Sequence, residues 1–217
     1  FRSESSGVAV PSSSIAGNQN ASAVKMRGRD GSLFLQSQNH GKKVDIAGID
    51  PRVGQQIYIG ADGAISFRRT TGDAVNADMN ATSFGAWTEN ASDDQLTEFD
   101  GPIRPERLIG YQITLSTIDS VSDFGFSGGK LTFRLSLNKT NATGNYLQQM
   151  AKRSLQTILR FDFVYLTVTI DAATGRIETL GTEEQYWVSA PVVKEAYATS
   201  TTTETFYYED IATVVRP

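Results

Sequence analysis

Histidine occurs once in the chain, at His40, and cysteine not at all. That pair of facts removes thiolate chemistry, disulfide stapling and multi-histidine metal centres, and leaves a single candidate for a triad base. His40 stands in SQNHGKK, which reads as a polar turn, and no GxSxG elbow accompanies it. No catalytic role is assigned to it, and the expectation is a protein that is not an enzyme.

Carboxylates crowd one segment, ENASDDQLTEFDG, as Asp93, Asp94, Glu98 and Asp100. Oxygen donors on a loop are what calcium takes, so these four are the candidate metal ligands. Their spacing lacks the alternation and terminal bidentate glutamate of an EF-hand, and a solvated acidic loop explains them as well. Glu183 and Glu184 are adjacent; on a strand they must point to opposite faces, which separates them as an acid and base pair. GFSGGK at 125–130 has the glycines of a phosphate loop but not its spacing, and Leu131 follows Lys130 where Ser or Thr is needed. A hairpin turn accounts for it. No cofactor is called for.

Asn20, Asn80, Asn90, Asn138 and Asn141 each begin an N-x-S/T triplet, a pattern that carries meaning only where glycosylation acts. Trp87 lies among polar neighbours in SFGAWTEN and is the candidate contact aromatic, either an interface anchor or a sugar platform. Trp187, beside Tyr186, reads as a core anchor.

The elements that would carry these groups are mostly strands. Strand signals fall at Ser32 to Gln36, at Gln56 to Arg68 as a hairpin about Asp62 and Gly63, at Tyr111 to Ile118, at Lys130 to Leu137, and at Arg160 to Leu180 as a hairpin closed by Gly175. Lys130 to Leu137 alternates without a slip, Leu131, Phe133, Leu135 and Leu137 against Lys130, Thr132, Arg134 and Ser136. In Arg160 to Ile170 the faces are Val164, Leu166, Val168, Ile170 and Phe161, Phe163, Tyr165, Thr167; with neither strongly polar, a central strand is expected. Tyr186 to Val193 and Thr205 to Ile211 supply further strands, and the stretch Thr199 to Thr205 between them is too polar for a core and is expected to lack a partner. Leu147, Met150, Ala151, Leu155, Ile158 and Leu159 recur at helical spacing after Gly144, which predicts one amphipathic helix over residues 145–159.

These signals predict an all-β fold, an antiparallel β-sandwich of jelly-roll type with that helix inserted. Residues 23–217 form one domain, and residues 1–22 an extended polar arm whose Gly7, Val8, Ala9 and Val10 add to a sheet edge on a neighbouring subunit. The formal charge of -4 and the lack of a long apolar run speak against strong nucleic-acid binding and against membrane insertion. The chain opens on Phe1 rather than methionine, so any export signal is expected upstream. Arm, decorated loops and two-faced strands together point to a structural subunit of a virion, capsid or tail, or of another large extracellular assembly. Its partners would be copies of itself and other structural subunits, and its interface residues Gly7 to Val10 and Trp87. A secreted module that binds glycan or mediates adhesion is the alternative.

Overall fold

The computed structural model describes residues 1–12, 19–41, 53–70, 83–90, 111, 113–142, 157–189 and 195–217. Within them the chain is all-β, with ten antiparallel strands in one sheet. Five run outward from the centre: β1 (Arg2–Pro11), β2 (Gln19–Arg27), β3 (Leu33–Gly41), β4 (Val53–Ile59) and β5 (Ile65–Arg69). Five return to it: β6 (Ile118–Ser127), β7 (Lys130–Leu137), β8 (Thr157–Asp171), β9 (Arg176–Ser189) and β10 (Ala196–Tyr207). Each set is a meander, and β1 pairing with β10 joins them, so the order across the sheet is β5-β4-β3-β2-β1-β10-β9-β8-β7-β6.

The turns are made where the sequence places them. Gly63, Gly128, Gly129 and Gly175 all have positive φ, and Asp171 caps the β8–β9 turn by accepting from the amides of Ala173 and Thr174 at 3.0 and 2.8 Å. The alternation of Lys130 to Leu137 becomes β7, the Arg160 to Leu180 hairpin becomes β8 and β9, and β8 is an interior strand.

Cross-strand partners share a face, so the register assigns the core. One face carries Val164, Leu166 and Val168 of β8, Leu135 and Leu137 of β7, Leu180 of β9 and Phe206 of β10 as a buried cluster. The same face carries a second cluster, Leu33, Ile57 and Ile59, in the outgoing meander. The C-terminal residues lace the outgoing strands together. The amides of Arg29 and Asp30 donate to the carbonyls of Ile211 and Ala212, and buried Val214 donates its amide to Ser32 Oγ at 2.8 Å.

Several expectations are corrected. Residues 1–12 are not an arm: β1 is paired with β10 over Arg2–Pro11 on one side and with β2 over Arg2–Ala9 on the other, at the middle of the sheet. Ser3 is buried, and the polar run is tolerated because ladders on both sides engage its backbone from Arg2 to Ala9 and its small side chains let neighbours approach. The Thr-rich stretch 199–205 does not lack a partner; it lies within β10, bonded to β1 and β9. Of the expected strand Tyr111 to Ile118, Tyr111 and residues 113–117 are not strand, Gln112 lies outside the described residues, and Ile118 begins β6. Thr114 to Thr117 turn on themselves, the Thr117 amide donating to the Thr114 carbonyl at 3.0 Å and the Thr114 amide to Thr117 Oγ1 at 2.8 Å, and Leu115 is 95% exposed. Hydroxyls that bond nearby backbone compete with the ladder there. Phe161 joins the buried face of Val164 rather than that of Phe163, because a register shift between Phe161 and Phe163 inserts one residue.

The inserted helix and the two-sheet sandwich are not among the described residues. Residues 143–156 lie outside them, and Thr157, Ile158 and Leu159, the expected end of the helix, begin β8 instead, where β-branched Thr157 and Ile158 suit a pleated ladder. Among the described residues no helix is long and apolar enough to cross a membrane.

Candidate functional site

Glu183 and Glu184 fall on opposite faces of β9, Glu183 exposed and Glu184 buried. Glu183 accepts from Arg134 at 2.9 Å. Glu184 sits among Val164 of β8 and Ser200 of β10, its cross-strand neighbours, and accepts from the hydroxyl of buried Tyr111. Burial pushes its carboxyl up to about 7, with a hydrogen bond from Ser200 acting the other way.

A second polar group lies further along the same face. Ser3 Oγ donates to Glu204 at 2.6 Å, and Lys25 stands in register with Ser3. Burial raises the Glu204 carboxyl, offset by Lys25 and by the Ser3 bond; burial lowers the Lys25 ammonium, offset by Glu204. Glu204 is opposite Leu180, four residues along β9 from Glu184, so the backbone positions that carry the two buried carboxylates are about 14 Å apart along the sheet. Glycoside hydrolysis needs its pair within about 5 to 9.5 Å. These carboxylates therefore sit as separate polar inclusions in an apolar face, not as an acid and base pair.

His40 lies in β3, opposite Asn20 of β2, rather than in a turn. Its distance in the fold from Glu184, across β2, β1 and β10, leaves no triad between them. Asp93, Asp94, Glu98 and Asp100 lie outside the described residues, and within the described ones no cluster of three or more His, Asp or Glu side chains is placed to hold a metal.

Trp87 is brought against cations. Arg68 lies over its ring at 4.5 Å to the centroid and Arg216 at 5.2 Å, with Arg216 also paired to Glu89. The segment carrying it covers the outer side of β5: Thr88 and Phe67 exchange amide and carbonyl bonds at 2.8 and 3.0 Å, and the Gly85 amide donates to the Arg69 carbonyl at 2.8 Å. Trp187 donates Nε1–H to Asp162 at 2.7 Å, under Arg160 and edge-on to Tyr197. Gly7, Val8, Ala9 and Val10 are interior to the sheet, bonded to Thr199–Thr202 and to residues 19–21. A Cβ at Gly7 would come within 2.5 Å of Thr202 Oγ1 and 2.8 Å of the Thr201 carbonyl oxygen, so the glycine serves close packing in its own chain.

The contact feature that the sequence reading missed is β6. Among the described residues it is bonded only to β7 and forms the free edge of the sheet. Phe124 and Phe126 are 69% and 70% exposed, and Val121 is exposed beside them. A register shift between Ser122 and Gly125, with Asp123 at φ 55, adds one residue to this strand. That extra residue brings Val121, opposite Leu135, onto the face of Phe126, opposite Leu131, and the Phe124 ring lies 6.2 Å from Phe133 on that face. The signal was available: a Gly128–Gly129 turn before β7 implies a strand on its other arm. No protein-family model matches the chain and no curated protein matches it, so geometry carries the functional reading.

Proposed function

We propose that the chain is a structural subunit of a large assembly, a virion capsid or tail or another extracellular assembly, that works through subunit contacts and performs no chemistry of its own. The observation that carries this is the β6 edge, unpaired among the described residues and lined by exposed Phe124 and Phe126. An open edge with aromatic side chains offers both backbone hydrogen bonds and apolar surface to a neighbour. The opposite edge is covered by the segment around Thr88, which directs contact to one side.

The catalytic alternatives have little to work with, since the sole histidine and the buried carboxylates are dispersed over the sheet. The glycan-binding alternative relied on an open Trp87 face, and that ring is taken up by Arg68 and Arg216. We further propose that the sheet doubles over into a jelly-roll-like sandwich, with any helix after β7 ending before Thr157. Two apolar clusters on one face, separated by the small residues Ser3, Ser5 and Gly7, favour such a closure.

Sedimentation of the full chain tests the reading. Species far above the 23.6 kDa monomer are expected, reduced in size when Phe124 and Phe126 are both replaced by serine. A wild-type protein that stays monomeric at every concentration would overturn it.

A further inference from the structure

We propose that β6 pairs with β6 of a second copy in an antiparallel, two-fold contact centred on Gly125. This rests on the assembly reading above and names the contact it uses. Charge and register select the arrangement. Between Ile118 and Ser127 the strand carries Asp119 and Asp123 and no basic residue, and neither carboxylate is in an ion pair among the described residues. A two-fold centred on Val121 would set Asp119 of each copy opposite Asp123 of the other, and like charges directly opposed are destabilising. Centring on Gly125 sets Phe124 opposite Phe126 of the other copy, twice, and Asp123 opposite Ser127.

The glycine fits the axis. A Cβ there would meet nothing within 4 Å in its own chain, and a bare backbone lets the two strands approach closely. Four phenylalanines then gather on one face, over Leu131 and Phe133 of each copy. Each phenylalanine is about 70% exposed in the single chain, so at most roughly 500 Å² of aromatic surface can leave water in all. That is below a standard specific interface, so the pair is reversible and concentration-dependent. A head-to-tail contact from β6 to β5 is disfavoured, because the amides and carbonyls on the outer side of β5 are engaged by Gly85 and Thr88. Closed two-fold pairing makes a dimeric building unit rather than an open fibre.

The absence of cysteine makes the test clean. The full-length Gly125→Cys variant, mildly oxidised at high micromolar concentration, should form a covalent dimer, since residues on the axis face one another at disulfide distance. Val121→Cys should form little. A second pair of variants reads the same register by sedimentation: Ser127→Asp, opposite Asp123 of the other copy, should weaken dimerisation about tenfold and Ser127→Lys should strengthen it. Equal or greater crosslinking at Val121, or no response to either Ser127 change, would overturn the register. Oligomers without any crosslink at Gly125 would overturn the β6 dimer and leave the assembly reading standing. A wild-type monomer at all concentrations would remove both.

Discussion

Replacing Glu184 by glutamine should erase a pH dependence of stability that the wild-type chain carries. The carboxyl is buried against Val164 and Ser200, and its folded form titrates at about 7 against an ordinary 4.5. Below the lower value both folded and unfolded chains hold the proton, and the group contributes no difference. As pH rises between the two values the unfolded chain releases its proton first, so the unfolded state is favoured and stability falls. Above about 7 the loss levels off, and its full size is about 3 kcal/mol. Glutamine has no proton to lose and retains an acceptor for the Tyr111 hydroxyl. The variant should therefore gain on the wild type by about 3 kcal/mol between about pH 4 and about pH 8, whatever its offset at low pH. Urea unfolding at a series of pH values measures this directly: with a slope near 2 kcal/mol/M, the midpoints should diverge by about 1.5 M over that range. Midpoints that stay a constant distance apart from acid to neutral pH would refute the reasoning, since the gain comes entirely from the raised carboxyl.

Leu166 is fully buried in the larger apolar cluster, so Leu166→Ala should lower unfolding free energy by about 2 to 5 kcal/mol in chemical denaturation. Gly7→Val places a branched side chain against Thr202 and the Thr201 carbonyl, and should destabilise by about 1 to 3 kcal/mol or more, read as a fall in thermal midpoint. Removing residues 1–12 takes β1 from between β2 and β10, and should abolish the cooperative thermal transition seen in the intact chain. A truncated chain with an unchanged midpoint would show that these residues are dispensable to the sheet.

What the sequence alone determined is local. The alternation of Lys130 to Leu137, the turn at Gly175 and the β-branched run of Arg160 to Ile170 are set by period and by turn chemistry within a few residues, and these segments became β7, β8 and β9. Adjacency alone also placed Glu183 and Glu184 on opposite faces. Tertiary structure decided what depends on the neighbour. Residues 2–11 and 199–205 look solvated because their side chains are polar, yet they sit at the middle of the sheet, where a ladder between residues roughly 200 positions apart satisfies their backbone. Phe161 changed faces, and Val121 came to share one with Phe126, because bulges shifted the register, and a bulge is a relation between two strands rather than a property of one. The Tyr111 to Ile118 alternation failed because Thr114 and Thr117 bonded each other first. The β6 edge followed last of all: a strand becomes an edge only through where the sheet stops, and that is fixed by the pairing of every other strand in it.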